Sequence, residues 1–128
     1  MANATESGPR LQVVVVDDDP IIGEELVDFL TRSCFVATYV EDAEFALAVI
    51  ERKRPPVVVL DIQMPMLSGP RMSQILRDIG FRGTIIFITG DLEAFAIARG
   101  DFNAVWALKK PVDLDQLRMI IATGLGVG

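Results

Sequence analysis

Asp61 closes the apolar run Val57-Val58-Val59-Leu60, and Asp17-Asp18-Asp19 follow a second run, Val13-Val14-Val15-Val16. Short apolar runs bounded by turn residues read as buried strands, so both sets of acids stand at strand ends. If the two strands are neighbours, three or more carboxylates converge on one spot. Like charges that close cannot all stay ionised without a cation among them or raised pKa values. The chemistry this suits is an oxygen-liganded divalent metal with one aspartate as the reacting group. Two later stretches also end in polar residues: Thr89, before Gly90-Asp91, and Lys110, before Pro111.

Positioning these residues requires several strands that end on the same side of a sheet. Strand-like segments are expected at 11–16, 36–40, 57–60, 84–89 and 105–108. Several are continuously apolar, as when both faces of a parallel sheet are covered. Between them the apolar residues recur at helical spacing. Ile22, Leu26, Phe29 and Leu30 share one face, with Asp19 as N-cap and Pro20 at the first helical position. Ala43, Ala46, Leu47 and Ile50 line a second helix. Met72, Ile75, Leu76 and Ile79 line a third, opened by Pro70 and closed by Gly80. A fourth, alanine-rich helix is expected over 92–99, and a last one from Asp113 with Leu114, Leu117 and Ile121 inward. Five βα repeats call for an α/β doubly wound fold, a parallel five-stranded sheet with helices on both faces. Ligands of such sheets bind beyond the carboxyl ends of the strands, where the acids stand.

The chain has 128 residues, 51% of them hydrophobic, which suits one domain. Residues 1–10 are polar and read as a flexible tail, 11–123 as the domain, and 124–128 as a glycine-rich tail or linker start. A net charge of −6 argues against direct nucleic-acid binding and against anionic membranes, leaving proteins as expected partners. The chain contains no histidine, so histidine-based acid–base catalysis is excluded and, if phosphoryl chemistry occurs here, the donor histidine must sit on another molecule. Its single cysteine, Cys34, is expected to be a small buried residue. With neither a hydrophobic leader at 1–10 nor a membrane-length apolar stretch, a cytoplasmic protein is expected.

Taken together, these residues resemble the CheY-like receiver domains of two-component response regulators, over residues 11–123. The resemblance rests on Asp17-Asp18, on Asp61 followed by Met64-Pro65 and Gly69, on Thr89-Gly90 and on Lys110-Pro111, in family order. It implies a flavodoxin-like (βα)5 fold with strand order 2-1-3-4-5. Asp61 would be the nucleophile and phosphoacceptor. Asp17, Asp18, Asp61 and the backbone carbonyl of Gln63 would hold Mg2+. Lys110, rather than Lys109, would pair with Asp61 and then with the phosphoryl group, and Thr89 would hydrogen-bond a phosphoryl oxygen. A cis bond before Pro111 is implied as well. The implied donor is a sensor histidine kinase or a histidine phosphotransfer protein. The implied output is binding, through the fourth helix, fifth strand and last helix, to a partner protein, a second copy or an attached effector. No turnover of an external metabolite is expected.

Receivers usually place Tyr or Phe three residues before this lysine; here that residue is Ala107, and Trp106 should face the other side of the strand. The stretch Asn103-Ala104-Val105-Trp106-Ala107 is similar to receivers attached to EAL-type cyclic-dinucleotide phosphodiesterase modules. Gln63 and Asp91 occupy positions that tune acyl-phosphate lifetime in the family. Two other readings stand beside the switch. A metal-dependent phosphatase with an aspartyl nucleophile would want a second acid two residues after Asp61, where Gln63 stands. A constitutive docking module with a vestigial site would explain Ala107 but not the complete acidic set.

Overall fold

The structure, a computed structural model, describes residues 11–64, 69–91, 93 and 106–124. Along the chain these form β1 (Gln12–Val16), α1 (Pro20–Arg32), β2 (Val36–Val40), α2 (Ala43–Lys53), β3 (Val57–Asp61), α3 (Gly69–Asp78), β4 (Thr84–Thr89), β5 (Trp106–Lys109) and α4 (Leu114–Gly124). The helix expected over 92–99 lies outside the described residues apart from Glu93, as do Pro65 and most of the loop before α3. No described helix is long and apolar enough to cross a membrane.

All strand pairs are parallel, as expected from the βα repeats, and their order is β2-β1-β3-β4-β5, as the receiver resemblance implies. Because side chains alternate across a strand, each strand feeds two cores. Val14, Val16, Val58, Leu60, Ile85 and Phe87 pack against α2 and α3 through Ala46, Ile50, Met72 and Leu76. Val13, Val15, Val57, Val59, Ile86 and Ile88 pack against α1 and α4 through Leu26, Leu30, Leu117 and Ile121. That double coverage is why the runs are continuously apolar. Each such side chain, fully buried, contributes about 1.5–3 kcal/mol relative to exposure.

Local signals set the helix ends. The Asp19 carboxylate accepts the Ile21 N–H at 3.0 Å, so it caps α1 while Pro20 occupies the first turn. Asp42 caps α2 in the same way through the Phe45 N–H at 3.1 Å. Gly80, just beyond α3, takes φ +94, a backbone state that glycine adopts without penalty.

Cys34 departs from expectation. It is exposed and has φ 74. The Cys34 N–H donates to the Thr31 carbonyl at 3.1 Å and the Phe35 N–H to the Leu30 carbonyl at 3.0 Å, a Schellman closure of α1. Cys34 thus fills the left-handed position usually given to glycine, while the apolar contact is made by buried Phe35. Residue type argued for burial; the demand of the helix end on its backbone decided otherwise. Cys34→Gly should therefore stabilise the fold by about 0.5–1 kcal/mol, read from the chemical denaturation midpoint.

Candidate functional site

The register of the sheet brings the expected site residues to one edge. Val16 lies opposite both Val40 and Leu60, Asp61 opposite Ile88, and Thr89 opposite Lys109. One residue further on, the backbone still follows the ladder: Asp17 N–H donates to Val40 O at 3.3 Å, and Lys110 N–H to Thr89 O at 2.8 Å. Asp17, Asp61, Thr89 and Lys110 are therefore carried by rigid strand ends.

The side chains converge. Carboxylate oxygens of Asp17, Asp18 and Asp61 lie within 4.8 Å of one another, Asp17 and Asp61 buried and Asp18 exposed. Lys110 Nζ stands 3.1 Å from Asp17 Oδ2 and 3.2 Å from Asp61 Oδ2. Lys109 is exposed and forms no ion pair among the described residues. Of the two adjacent lysines, the one before the proline enters the crevice, and the Lys110–Pro111 bond is cis.

Asp17 and Asp61 are each anchored at Oδ1 by a backbone N–H, and Asp61 Oδ2 also accepts from Lys110 Nζ at 3.2 Å. Asp17 Oδ1 accepts the Asp19 N–H at 2.8 Å, and Asp61 Oδ1 accepts the Gln63 N–H at 3.0 Å. Asp17 Oδ2 is close enough to Lys110 to feel its charge, but the contact lies off a hydrogen-bonding direction. That buried oxygen is left without a hydrogen-bond donor, which is costly for a charged group.

Electrostatics follow from this crowding. Burial pushes the Asp61 carboxyl up from 3.8 to about 6; the Gln63 N–H pulls it down, Asp17 pushes it up, and Lys110 pulls it down again. Burial disfavours the Lys110 charge, but contact with Asp17 and the fields of Asp61 and Asp17 outweigh it, so the lysine pKa is raised. The lysine stays charged, and two buried acids share one cation.

Thr89 is fully buried at the end of β4, and its Oγ1 accepts the Asp91 N–H at 3.1 Å, leaving the hydroxyl proton free to point elsewhere. Above it, Gln63 Nε2 donates to Asp91 Oδ2 at 3.2 Å, joining the loops after β3 and β4. Ala107 packs with the core beneath α2 and α3, and Trp106 with the core beneath α1 and α4. The two residues do face opposite sides of β5.

Tyr39 escaped the sequence reading. From the end of β2 its hydroxyl donates to the Asp17 carbonyl at 2.7 Å, pinning the acidic loop across 22 residues of sequence. Burial and the nearby acids Glu41, Asp17, Asp18 and Asp19 push its pKa up to about 12, so it remains a donor. Its ring fills the space beside Gly23 in α1, where an added Cβ would lie 2.1 Å from a ring carbon. The one available signal was a glycine inside a helical pattern, which marks close approach. Gly23→Ala should cost about 1–3 kcal/mol by displacing the ring. Tyr39→Phe should cost about 1 kcal/mol. Denaturation curves of both variants check the order.

The donor set fits a hard divalent cation. Three carboxylates supply oxygen ligands at one point, one with an unsatisfied buried lone pair, and no soft ligand is present in the cluster. Magnesium is bound in this way, by a few carboxylates with waters completing its octahedron.

Comparison with known proteins agrees with the geometry. The sequence profile of the response regulator receiver domain matches residues 13–122. An uncharacterized response regulatory protein of Shewanella oneidensis is 35% identical over 106 residues, covering 81% of this chain and 44% of that protein. The transcriptional regulatory protein BtsR of Escherichia coli K12 is 33% identical over 114 residues, covering 88% of this chain and 47% of BtsR. The chain thus spans about half the length of these relatives. Among solved structures, chemotaxis protein CheY4 of Vibrio cholerae superposes with a TM-score of 0.81 at 21% identity, covering 91% of this chain and 99% of that one. The receiver domain of sensor histidine kinase PA1611 from Pseudomonas aeruginosa, which has a magnesium ion coordinated in its active-site cleft, gives a TM-score of 0.84 at 22% identity, covering 92% and 99%. With the family profile matched over nearly the whole described fold and the strand order of CheY-like proteins reproduced, this chain belongs to the response regulator receiver domain family.

Proposed function

We propose that this chain is a phosphorylation-controlled switch in which Asp61 accepts a phosphoryl group from a phosphohistidine on a partner kinase or phosphotransfer protein. One observation supports this most: Lys110 contacts both Asp17 and Asp61 while three carboxylates share one crevice. None of the 128 residues is histidine, so the donor imidazole lies outside them. An Asp61 oxygen attacks phosphorus, the phosphorus–nitrogen bond of the donor breaks, and its electron pair returns to the imidazole. With a carboxyl pKa of about 6, Asp61 is predominantly the required carboxylate at neutral pH.

Asp17, Asp18, Asp61 and the Gln63 carbonyl are the residues that would hold Mg2+, which supplies neutralisation of charge on the transferring phosphoryl group. Lys110 shifts its charge from the Asp61 carboxylate to the phosphoryl oxygens, and the Thr89 hydroxyl donates to one of them. The receiver unit comprises residues 11–123, flanked by 1–10 and 124–128. Phosphorylation changes the population of a binding surface on β5, α4 and the segment 92–99. Because Ala107 carries no ring, the change does not run through an aromatic at that position. The output is recognition of a partner protein, a second copy or an attached effector, and no metabolite is turned over.

Beryllium fluoride with Mg2+ mimics the acyl phosphate and tests this reading. Trp106 is the single tryptophan and its buried indole N–H has no acceptor among the described residues, so its emission reports changes around β5. Saturable change in Trp106 emission or in backbone amide shifts is expected in the wild type and absent in Asp61→Asn. Unaltered amide spectra at saturating reagent would instead favour a docking module with a vestigial site.

A further inference from the structure

At the opposite end of the sheet from the acids stand three arginines, two of them on one cavity lining and none in an ion pair among the described residues. Arg54 lies just past α2 in a left-handed conformation, φ 49, and extends a guanidinium nitrogen to 3.9 Å from where a side chain on Gly80 would sit. Arg77, in the last turn of α3, donates to the carbonyls of Phe81 at 3.0 Å and Gly83 at 2.8 Å, and stacks 5.6 Å from the Phe81 ring centre. Arg82 sits in the loop that Arg77 shapes. Burial and the nearby Arg82 both lower the Arg77 pKa, the mark of like charges held together. None of the three pairs with a carboxylate among the described residues, although acids outnumber bases 18 to 12 in the chain.

Basic residues at helix C-termini have an ordinary explanation, since they complement the helix dipole. It covers Arg52 and Lys53 on α2 and Arg77 on α3. Arg54 belongs there in part, as the C-cap of α2 whose Nε donates to the Glu51 carbonyl at 3.1 Å; Arg82 does not, and the two line a surface cavity of about 520 Å³ with Pro56, Gly80, Gly83 and Thr84. Neighbouring amides of the loop are committed, Phe81 N–H to Leu76 and Thr84 N–H to Pro56, whereas those of Arg82 and Gly83 meet no backbone acceptor among the described residues. Two arginines and two loop amides on the lining of one concave surface match an oxyanion with several acceptor oxygens.

We propose that this basic pole is a binding site for a small polyphosphate anion, held by Arg54 and Arg82 with the Arg82 and Gly83 amides. Arg77 holds the loop in shape and adds its charge. The site is separate from the acidic crevice and does not depend on its proposed chemistry. Among the described residues the one aromatic on the cavity lining, Phe81, is buried and carries the Arg77 guanidinium over its ring; recognition is of phosphate groups alone.

Inorganic pyrophosphate titrated into isotope-labelled protein, in magnesium-free buffer at constant ionic strength, tests the proposal. The expected result is saturable movement of the Arg82, Gly83 and Thr84 amides. Affinity should fall at least about tenfold in Arg54→Ala/Arg82→Ala, since charge-assisted hydrogen bonds are lost, and stay unchanged in Asp61→Asn. Both arginines are exposed, so the double variant should keep the wild-type melting temperature. Shifts that grow linearly and are matched by chloride would mean ionic screening only and would overturn the site. Unchanged affinity in the double variant would overturn it equally.

Discussion

Lys110→Ala is expected to destabilise the metal-free protein by about 3–5 kcal/mol, while Lys109→Ala changes stability by less than about 0.5 kcal/mol. The two lysines are adjacent, and only their environments differ. Lys110 is mostly enclosed and lies 3.1 Å from Asp17 and 3.2 Å from Asp61, both buried. Removing its charge leaves two carboxylates facing each other away from water with no cation. Truncating one partner of a buried ion pair is costly for that reason, whatever the pair's net contribution. Mg2+ should restore part of the loss in Lys110→Ala, because it supplies the missing positive charge. Urea denaturation with and without Mg2+ measures both effects. Equal midpoints for the two lysine variants would mean that Lys110 does not balance the acidic pair.

Asp61→Asn should act in the opposite direction, and with a pH signature. The carboxyl titrates at about 6 in the fold against an ordinary value of 3.8. Between those values the native state holds the proton more tightly than the unfolded chain, so stability of the metal-free protein falls as pH rises through that window. The difference corresponds to about 3 kcal/mol at neutral pH. An asparagine keeps the shape without the charge, and Lys110 still meets Asp17. The variant should therefore be more stable than wild type by about 2–3 kcal/mol at pH 7 without Mg2+, with the gap closing near pH 4. Mg2+ should narrow the gap at pH 7, since it favours the ionised wild-type carboxylate. Melting temperatures across pH 4 to 8 read this directly; parallel curves for the two proteins would rule out a strained Asp61.

How much of this was legible beforehand depended on whether a residue's role was local. Pro20, Asp19 and Gly80 act on their own helix ends, and the structure uses them as their types predict. Continuous valine runs announced two-sided coverage, and the two cores show it. Asp17, Asp18, Asp61 and Lys110 could be placed together because each ends a strand and parallel strands end on one side. Cys34 and Tyr39 were not legible, for different reasons. Cys34 was judged on its side chain, whereas the closure of α1 selected on its backbone. Tyr39 acts through a hydrogen bond spanning 22 residues and a notch that exists only once α1 has packed on β2. The basic pole was hidden likewise, since Arg54, Arg77 and Arg82 are scattered in sequence and meet only through the loop before β4. The 92–99 segment is weakly patterned in sequence and, apart from Glu93, lies outside the described residues.

Tandem mass spectrometry after incubation with acetyl phosphate and Mg2+ goes to the heart of the matter. A single added phosphoryl group on Asp61, absent when the metal is chelated and absent in Asp61→Asn, is the expected result. An acceptor that stays unmodified, or a phosphoryl group carried on any other residue, would contradict the role assigned to this crevice.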